Sequence, residues 1–107
     1  MKPWTVEFTT EAEKDMDSLA RSQRLQVDKA INKVSKNPLP KTEGGYGKPL
    51  GNKGSMNLIG LLKIKLLKLG IRVVYRVVRA DGIMKIIVVA ARADDEVYEI
   101  AARRIDT

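Results

Sequence analysis

Apolar and polar residues alternate near the beginning of the chain and again over most of its second half. Trp4, Val6 and Phe8 are separated by polar residues, a period of two that is typical of a strand with one buried face. Three further strands are predicted at residues 58–69, 71–79 and 83–91. We expect turns between these three strands, because Gly70 interrupts the pattern and the Asp-Gly pair at 81–82 favours a hairpin turn.

Helical periodicity occupies the region between the first strand and the others. Thr10 and Glu13 fit a capping box, in which each side chain bonds the backbone N–H of the other residue, and this predicts a helix start. Ser22 is predicted to cap a second helix, which must end by Asn37 because Pro38 disfavours the α conformation before it. The apolar positions at helical spacing are Ala12, Met16, Leu19 and Ala20, then Val27, Ala30, Ile31 and Val34. The short link between the two helices predicts a helical hairpin.

The order of the predicted elements is β-α-α-β-β-β-α, a single α+β domain over residues 1–107 whose last helix is capped by Asp94 or Asp95. We expect a mainly antiparallel sheet, with the helical hairpin packed on one face and a short C-terminal helix. All helices are expected on that one face, leaving the other face uncovered. The loop at 38–57 contains three of the four prolines and five of the eight glycines, which is typical of a functional or mobile segment.

The net positive charge of the chain is concentrated on the predicted sheet. Residues 63–92 contain eight of the twenty Lys and Arg residues and one acidic residue, so this segment carries the whole formal net charge of +7. A surface with charge of one sign attracts an anion, and nucleic acid is the repeating polyanion. The charge therefore favours a nucleic-acid partner or an acidic protein partner.

Composition excludes several kinds of chemistry. The chain has no cysteine and no histidine, which rules out disulfides and removes the commonest metal ligand and general base. We therefore expect no metal and no cofactor. The N-terminal sequence has no apolar segment of a signal peptide and no apolar run approaches a membrane span, so a cytoplasmic location without membrane association is expected.

The predicted strands bring cations together. Lys63 and Lys65 are two residues apart on one strand and share a face, and Arg72 lies on the neighbouring strand. Cleavage of RNA by its own 2′-hydroxyl needs phosphate binding and two proton transfers, but no metal. We hypothesise that Arg72 and Arg92 grip the phosphate, while a lysine and Tyr98 act as base and acid in an order that is left open. Taken singly, each lysine is more often a solvated strand residue, and Tyr98 a partly buried core residue.

Four sequence features together resemble the RelE branch of the RelE/ParE toxin superfamily. These are Lys63-Ile64-Lys65-Leu66, Gly70-Ile71-Arg72-Val73-Val74-Tyr75, Arg92, and Val97-Tyr98. The resemblance implies a microbial-RNase-like fold and a ribosome-dependent messenger-RNA endonuclease (an mRNA interferase). By position, it implies catalytic or phosphate-binding roles for Lys63, Lys65, Arg72, Arg92 and Tyr98. The chain departs from the family pattern at Ile71, where an aromatic residue is common, and at Ala93-Asp94-Asp95, where relatives have a further basic residue.

The same resemblance implies two partners. One is messenger RNA at the ribosomal decoding site, and the other is a cognate RelB-like antitoxin that would form a hetero-oligomeric complex with an otherwise monomeric toxin. Peripheral RNA contacts are predicted for Lys48, Lys53, Lys68 and Arg76. Two alternatives remain: a ParE-like toxin acting on DNA gyrase, which the lysine and tyrosine set disfavours, and a catalytically inactive RNA-binding module.

Overall fold

Residues 4–50 and 58–105 are described by the computed structural model and form five strands and three α-helices. In chain order the elements are β1 (Thr5–Phe8), α1 (Thr10–Asp17), α2 (Arg21–Val34), β2 (Lys48–Pro49), β3 (Leu61–Leu66), β4 (Ile71–Val78), β5 (Ile83–Ala90) and α3 (Asp94–Ile105). The predicted α+β class and the predicted order of elements are confirmed. The short strand β2 was not predicted and lies within the predicted loop at 38–57.

The strands form one mixed sheet in the order β1-β5-β4-β3-β2. The pairing of β1 with β5 is parallel and the other three pairings are antiparallel, so the sheet is mainly antiparallel as predicted. Gly82 has a φ of +64° at the end of the β4–β5 turn. Glycine adopts this left-handed conformation without the steric cost of a Cβ, as the Asp-Gly pattern predicts.

Strand periodicity divides the apolar residues into two cores. Val73 and Tyr75 point to the face covered by α1 and α2, where the larger core lies. Val74 and Val88 point to the opposite face and pack with Val97, Tyr98 and Ala101 of α3. Each of these residues is at most 2% exposed.

The prediction that all helices share one face is therefore wrong. The helix α3 packs on the face that also carries the cations, so that face is partly covered. The reason lies in β4 and β5, which present apolar side chains to both faces, Val73 and Val89 to one and Val74 and Val88 to the other, and so require cover on both.

Two helix starts differ from the predictions by one or two residues. The cap of α1 is Thr9, whose hydroxyl accepts a hydrogen bond from the Ala12 N–H at 3.1 Å, and not Thr10. The cap of α2 is Ala20, whose N–H donates to the Gln23 side chain at 3.0 Å, and not Ser22. Adjacent candidates for a cap cannot be separated by composition, because the extended backbone conformation of the capping residue decides.

The segment at 38–50 is more ordered than its composition suggests. Its Lys41–Glu43 turn is a short 3₁₀ helix, and Arg79 forms two hydrogen bonds, of 2.9 and 2.7 Å, with Glu43. The buried Tyr75 hydroxyl donates to the Pro38 carbonyl at 2.8 Å, and burial raises the Tyr75 pKa. The remainder of the predicted loop, residues 51–57, lies outside the described residues and includes Lys53.

The last turn of α3 is joined to β5 and α1 by polar contacts. Arg104 binds Asp15 through two contacts, at 2.7 and 3.2 Å, and donates to the Ile87 carbonyl at 2.7 Å. Asp15 in turn accepts from the Val89 N–H at 3.0 Å. These contacts satisfy backbone groups of β5 beyond Ile86, the last residue that pairs with β1.

Replacement of Tyr75 by Phe tests the anchoring of the 38–50 segment. Tyr75→Phe removes a buried donor from the Pro38 carbonyl, so we expect the free energy of unfolding to fall by about 1–2 kcal/mol in urea titration. Tyr46→Phe is the matched control, because Tyr46 is 48% exposed and should change stability by less than about 0.5 kcal/mol. Equal stabilities for the two variants would contradict this role of the Tyr75 hydroxyl.

Candidate active site

The strand register brings four cations to one face of the sheet. Lys65 of β3 lies opposite Arg72 of β4, and Lys48 of β2 lies opposite Lys63 of β3. Residues directly opposite on paired strands share a face, and Lys63 and Lys65 share theirs through the period of two. The predicted grouping of Lys63, Lys65 and Arg72 on one surface is thus present in the structure.

Tyr98 reaches this surface from α3. Its hydroxyl accepts a hydrogen bond from the Lys63 ammonium at 2.8 Å, and the same ammonium lies 5.5 Å from the ring centroid. Only 2% of Tyr98 is exposed, because its ring belongs to the second core. Tyr98 is thus a core residue whose hydroxyl also contacts a lysine, and its role in proton transfer stays a prediction.

Asp94 joins Lys65 and Arg72. One oxygen of its carboxylate accepts from the Lys65 ammonium at 2.9 Å, and the other accepts from Arg72 Nε at 2.8 Å. The hydrogen bond from Lys65, together with the bond from Arg72 and the two positive charges, lowers the pKa of Asp94 to about 2. The Arg72 guanidinium is also held by a second bond, from Nη1 to the Gly70 carbonyl at 3.0 Å.

The sequence did not predict this contact, since either Asp94 or Asp95 was expected to cap α3. The helix begins at Asp94 itself, and the Val97 N–H donates to the Ala93 carbonyl. A signal was available, since Asp94 and Tyr98 are four residues apart and lie on the same side of a helix. An acid one turn before a tyrosine predicted to face two lysines should be expected near those lysines too.

Arg92 stands apart from this cluster in its contacts. Its guanidinium pairs with Glu96 at 3.2 Å, and its side chain is 60% exposed. It lines a groove of about 630 Å³ that also involves Ser18 and Ile100. The phosphate-binding role predicted for Arg92 stays a prediction.

Three of the predicted peripheral cations lie within the described residues and are exposed. Lys48 lies on β2, Lys68 lies in the β3–β4 turn, and Arg76 lies on β4 opposite Lys85. Lys53 is outside the described residues. RNA contacts by these four residues remain predictions.

The described residues contain neither a candidate metal-ion site nor a helix that could span a membrane. Within 4–50 and 58–105, no group of three or more His, Cys, Asp or Glu side chains is placed to hold a metal ion. None of the helices in those ranges is both long enough and apolar enough to cross a membrane.

Comparison with known proteins gives matches among solved structures. No family model and no curated protein matches the sequence. A doubly substituted variant of the E. coli toxin RelE in the free state is 26% identical, with 97% of this chain and 99% of that chain covered and a TM-score of 0.73. The RelBE toxin–antitoxin complex of Mycobacterium tuberculosis includes a chain 29% identical, with 88% of this chain and 97% of that chain covered and a TM-score of 0.68.

A more distant match concerns the fold alone. A chain of the archaeal RelE–RelB complex from Pyrococcus horikoshii is 20% identical, with 87% of this chain and 99% of that chain covered and a TM-score of 0.62. Together, the mixed sheet, the helical hairpin and the cation-bearing face under α3 define a domain of the RelE toxin type. These structures support the resemblance to the RelE-like toxin superfamily that the sequence features indicated.

The low pKa of Asp94 predicts how its contribution to stability depends on pH. Because the folded-state pKa is below the unfolded value of about 3.9, the ion pairs should stabilise the fold fully above pH 5 and lose their effect as pH falls toward 2. We expect Asp94→Asn to lower the free energy of unfolding by about 1 kcal/mol at neutral pH and by about half as much at pH 3. Urea titrations of both proteins over this pH range measure the difference.

Glu99→Gln is the control for this measurement, since Glu99 is an exposed acid on the same helix. Its difference from the wild type should be small at every pH. A difference for Asp94→Asn that does not shrink between pH 5 and pH 3 would contradict the predicted role of its carboxylate.

Proposed function

We propose that this protein is the toxin of a toxin–antitoxin pair and cleaves messenger RNA on the ribosome without a metal. The observation that carries the proposal is the contact set on one sheet face, in which Lys63 touches Tyr98 while Lys65 and Arg72 share one anionic partner. The similarity of the chain to solved structures of RelE toxins gives further support.

The proposed reaction is an attack of the RNA on itself. The ribose 2′-hydroxyl loses its proton, its oxygen bonds to the adjacent phosphorus, and the bond from phosphorus to the 5′-oxygen breaks. The departing 5′-oxygen takes up a proton, which leaves a cyclic phosphate and a 5′-hydroxyl. Negative charge grows on the phosphate oxygens, so cations aimed at them lower the barrier.

The chain offers groups for each step. Arg72 and Arg92 are proposed to bind the scissile phosphate, because the guanidinium fork matches two phosphate oxygens. The Lys63 ammonium and the Tyr98 hydroxyl are 2.8 Å apart, and both groups can carry a proton. We therefore propose that Lys63, Tyr98 and Lys65 perform the two proton transfers. The ribosome would supply the alignment of the 2′-hydroxyl, and this action would place the protein in the cytoplasm.

We further propose a RelB-like antitoxin as the protein partner. The similar chain from M. tuberculosis comes from a toxin–antitoxin complex. The helix α3 is the vulnerable element, since a protein that displaced it would separate Tyr98 from Lys63 and Asp94 from Lys65. An antitoxin with an acidic surface would also complement the cation-bearing face.

Replacement of Tyr98 by Phe tests the proton-transfer role. Tyr98→Phe keeps the ring in the second core but removes the hydroxyl that contacts Lys63, so we expect the single-turnover rate on ribosome-bound messenger to fall by at least about 100-fold. Tyr46→Phe should cleave at the wild-type rate, because Tyr46 lies in the 38–50 segment away from this contact. A wild-type rate for Tyr98→Phe in a folded protein would overturn the assignment.

Replacement of Arg92 by Ala tests phosphate binding. Because the Arg92 side chain is exposed, its removal should change the stability of the protein little. If Arg92 binds the messenger phosphate, we expect Arg92→Ala to lower the single-turnover cleavage rate by at least about 100-fold. Arg103→Ala is the matched control, because it removes the same charge from an exposed position on α3 and should cost less than about threefold. Equal effects of the two variants would show that Arg92 acts only through the general field.

Mapping of 5′ ends separates the proposal from its alternatives. Translating ribosomes incubated with the wild-type protein should yield cuts confined to messenger in the decoding site. Intact messenger together with relaxed plasmid would instead indicate a toxin that acts on gyrase. Intact messenger that still binds the protein would indicate an inactive RNA-binding module.

A further inference from the structure

Asp94 occupies the place between two cations that the proposed reaction needs. Both of its carboxylate oxygens are engaged, one by Lys65 at 2.9 Å and the other by Arg72 Nε at 2.8 Å. The three side chains are 22–30% exposed, so the group is neither sealed in the core nor fully in water. An incoming phosphate therefore meets a site that already holds an anion.

The spacing of α3 against β3 explains why both lysines are occupied at once. Residues two apart on a strand are separated by about 6.7 Å, and residues four apart on a helix rise by about 6 Å. Lys63 and Lys65 have the first spacing, and Tyr98 and Asp94 have the second. The first turn of α3 thus presents one acceptor to each lysine, with Tyr98 on Lys63 and Asp94 on Lys65.

A carboxylate held in this way resembles a bound phosphate. One carboxylate oxygen accepts a charge-assisted hydrogen bond from the ammonium, and the other accepts one from the guanidinium. Two non-bridging oxygens of a phosphate would accept the same two bonds from these donors. The geometry points to Asp94 as an internal competitor for the phosphate-binding position, which an RNA phosphate must displace before cleavage. This inference rests on the proposed function for the identity of the phosphate, and on the contacts alone for the competition.

Arg72 has a second contact that does not involve Asp94. Arg72 stays fixed through its Nη1 bond to the Gly70 carbonyl at 3.0 Å. The helix stays docked through Val97 and Ala101 in the second core, and through the ion pair of Arg104 with Asp15 at 2.7 Å. A rotation of the Asp94 side chain would therefore free the position without unfolding α3.

Competition of this kind weakens the binding of every single anion. Removal of the Asp94 carboxylate leaves a phosphate facing two uncompensated cations, whereas in the wild type it must replace one negative charge by another. A displaced Asp94 also remains close enough to repel the phosphate. The site therefore has a lower affinity for a single anion. A polyanion that is also bound through its other phosphates can still occupy the site more readily than a free ion.

Asp94→Asn tests this inference directly. The two probes are a short 2′-O-methyl RNA, which lacks the attacking hydroxyl and cannot be cleaved, and inorganic phosphate. We expect Asp94→Asn to bind both probes about tenfold more tightly than the wild type, measured by fluorescence anisotropy for the RNA and by the Arg72 Nε–H resonance for phosphate. Glu99→Gln adds the same unit of charge on the same helix and should change either affinity by less than about twofold.

The opposite result is equally informative. If Asp94→Asn binds neither probe more tightly than the wild type, Asp94 holds Lys65 and Arg72 in place and the competition is overturned. Asp94→Ser, also suited to a helix start, serves as a second variant if the Asn protein does not fold.

A double-mutant cycle tests the route of the effect. In an Arg72→Gln background the gain from Asp94→Asn should shrink to about threefold or less, because one of the two released donors is gone. A gain that stays at tenfold in that background would overturn the proposed competition at Arg72. Neither affinity depends on cleavage, so the two proposals can fail separately. A wild-type protein that does not cleave messenger on the ribosome would reject the proposed function alone. Affinities that Asp94→Asn leaves unchanged would reject the competition alone.

Discussion

The packing of α3 against the cation-bearing face of the sheet is the contact on which the candidate site depends. Its centre is apolar, with Val97 and Ala101 buried against Val74 and Val88. Both ends of the helix make polar contacts, Tyr98 with Lys63 near its start and Arg104 with Asp15 in its last turn. The helix is therefore held at its ends as well as at its middle. The same helix thereby buries a second core and brings a hydroxyl and a carboxylate to two lysines that would otherwise be surrounded by water.

Local patterns in the sequence predict the strands and their faces well. The alternation in β3 and β4 puts Lys63, Lys65 and Arg72 on one side, and the register of the two strands agrees. The placement of α3 could not be read in the same way, because a strand such as β5 that is apolar on both faces does not say which element covers each face. That Val74 shares a face with Arg72 was visible, and it required an apolar partner on the cation side.

The candidate site was predicted in part for a similar reason. The spacing of the lysines pointed to Lys63, and the family resemblance pointed to both Lys63 and Tyr98, which are in contact. The bond of Asp94 to Lys65 spans 29 residues of sequence, and it can be inferred only once Tyr98, one helical turn after Asp94, has been placed against the lysines. The segment at which the sequence resemblance is incomplete, Ala93-Asp94-Asp95, is thus the one that gives the cation cluster an anion of its own.

The contacts of Arg104 and Asp15 at the edge of β5, away from the site, also limit self-association of the protein. Beyond the end of β1, the Ile87 carbonyl and the Val89 N–H are bonded by the side chains of Arg104 and Asp15. An uncovered strand edge would offer these groups to another strand, which is how sheets join into fibrils. Because an ion pair fills the place of a missing neighbour, β5 is closed to such growth along this part of its length.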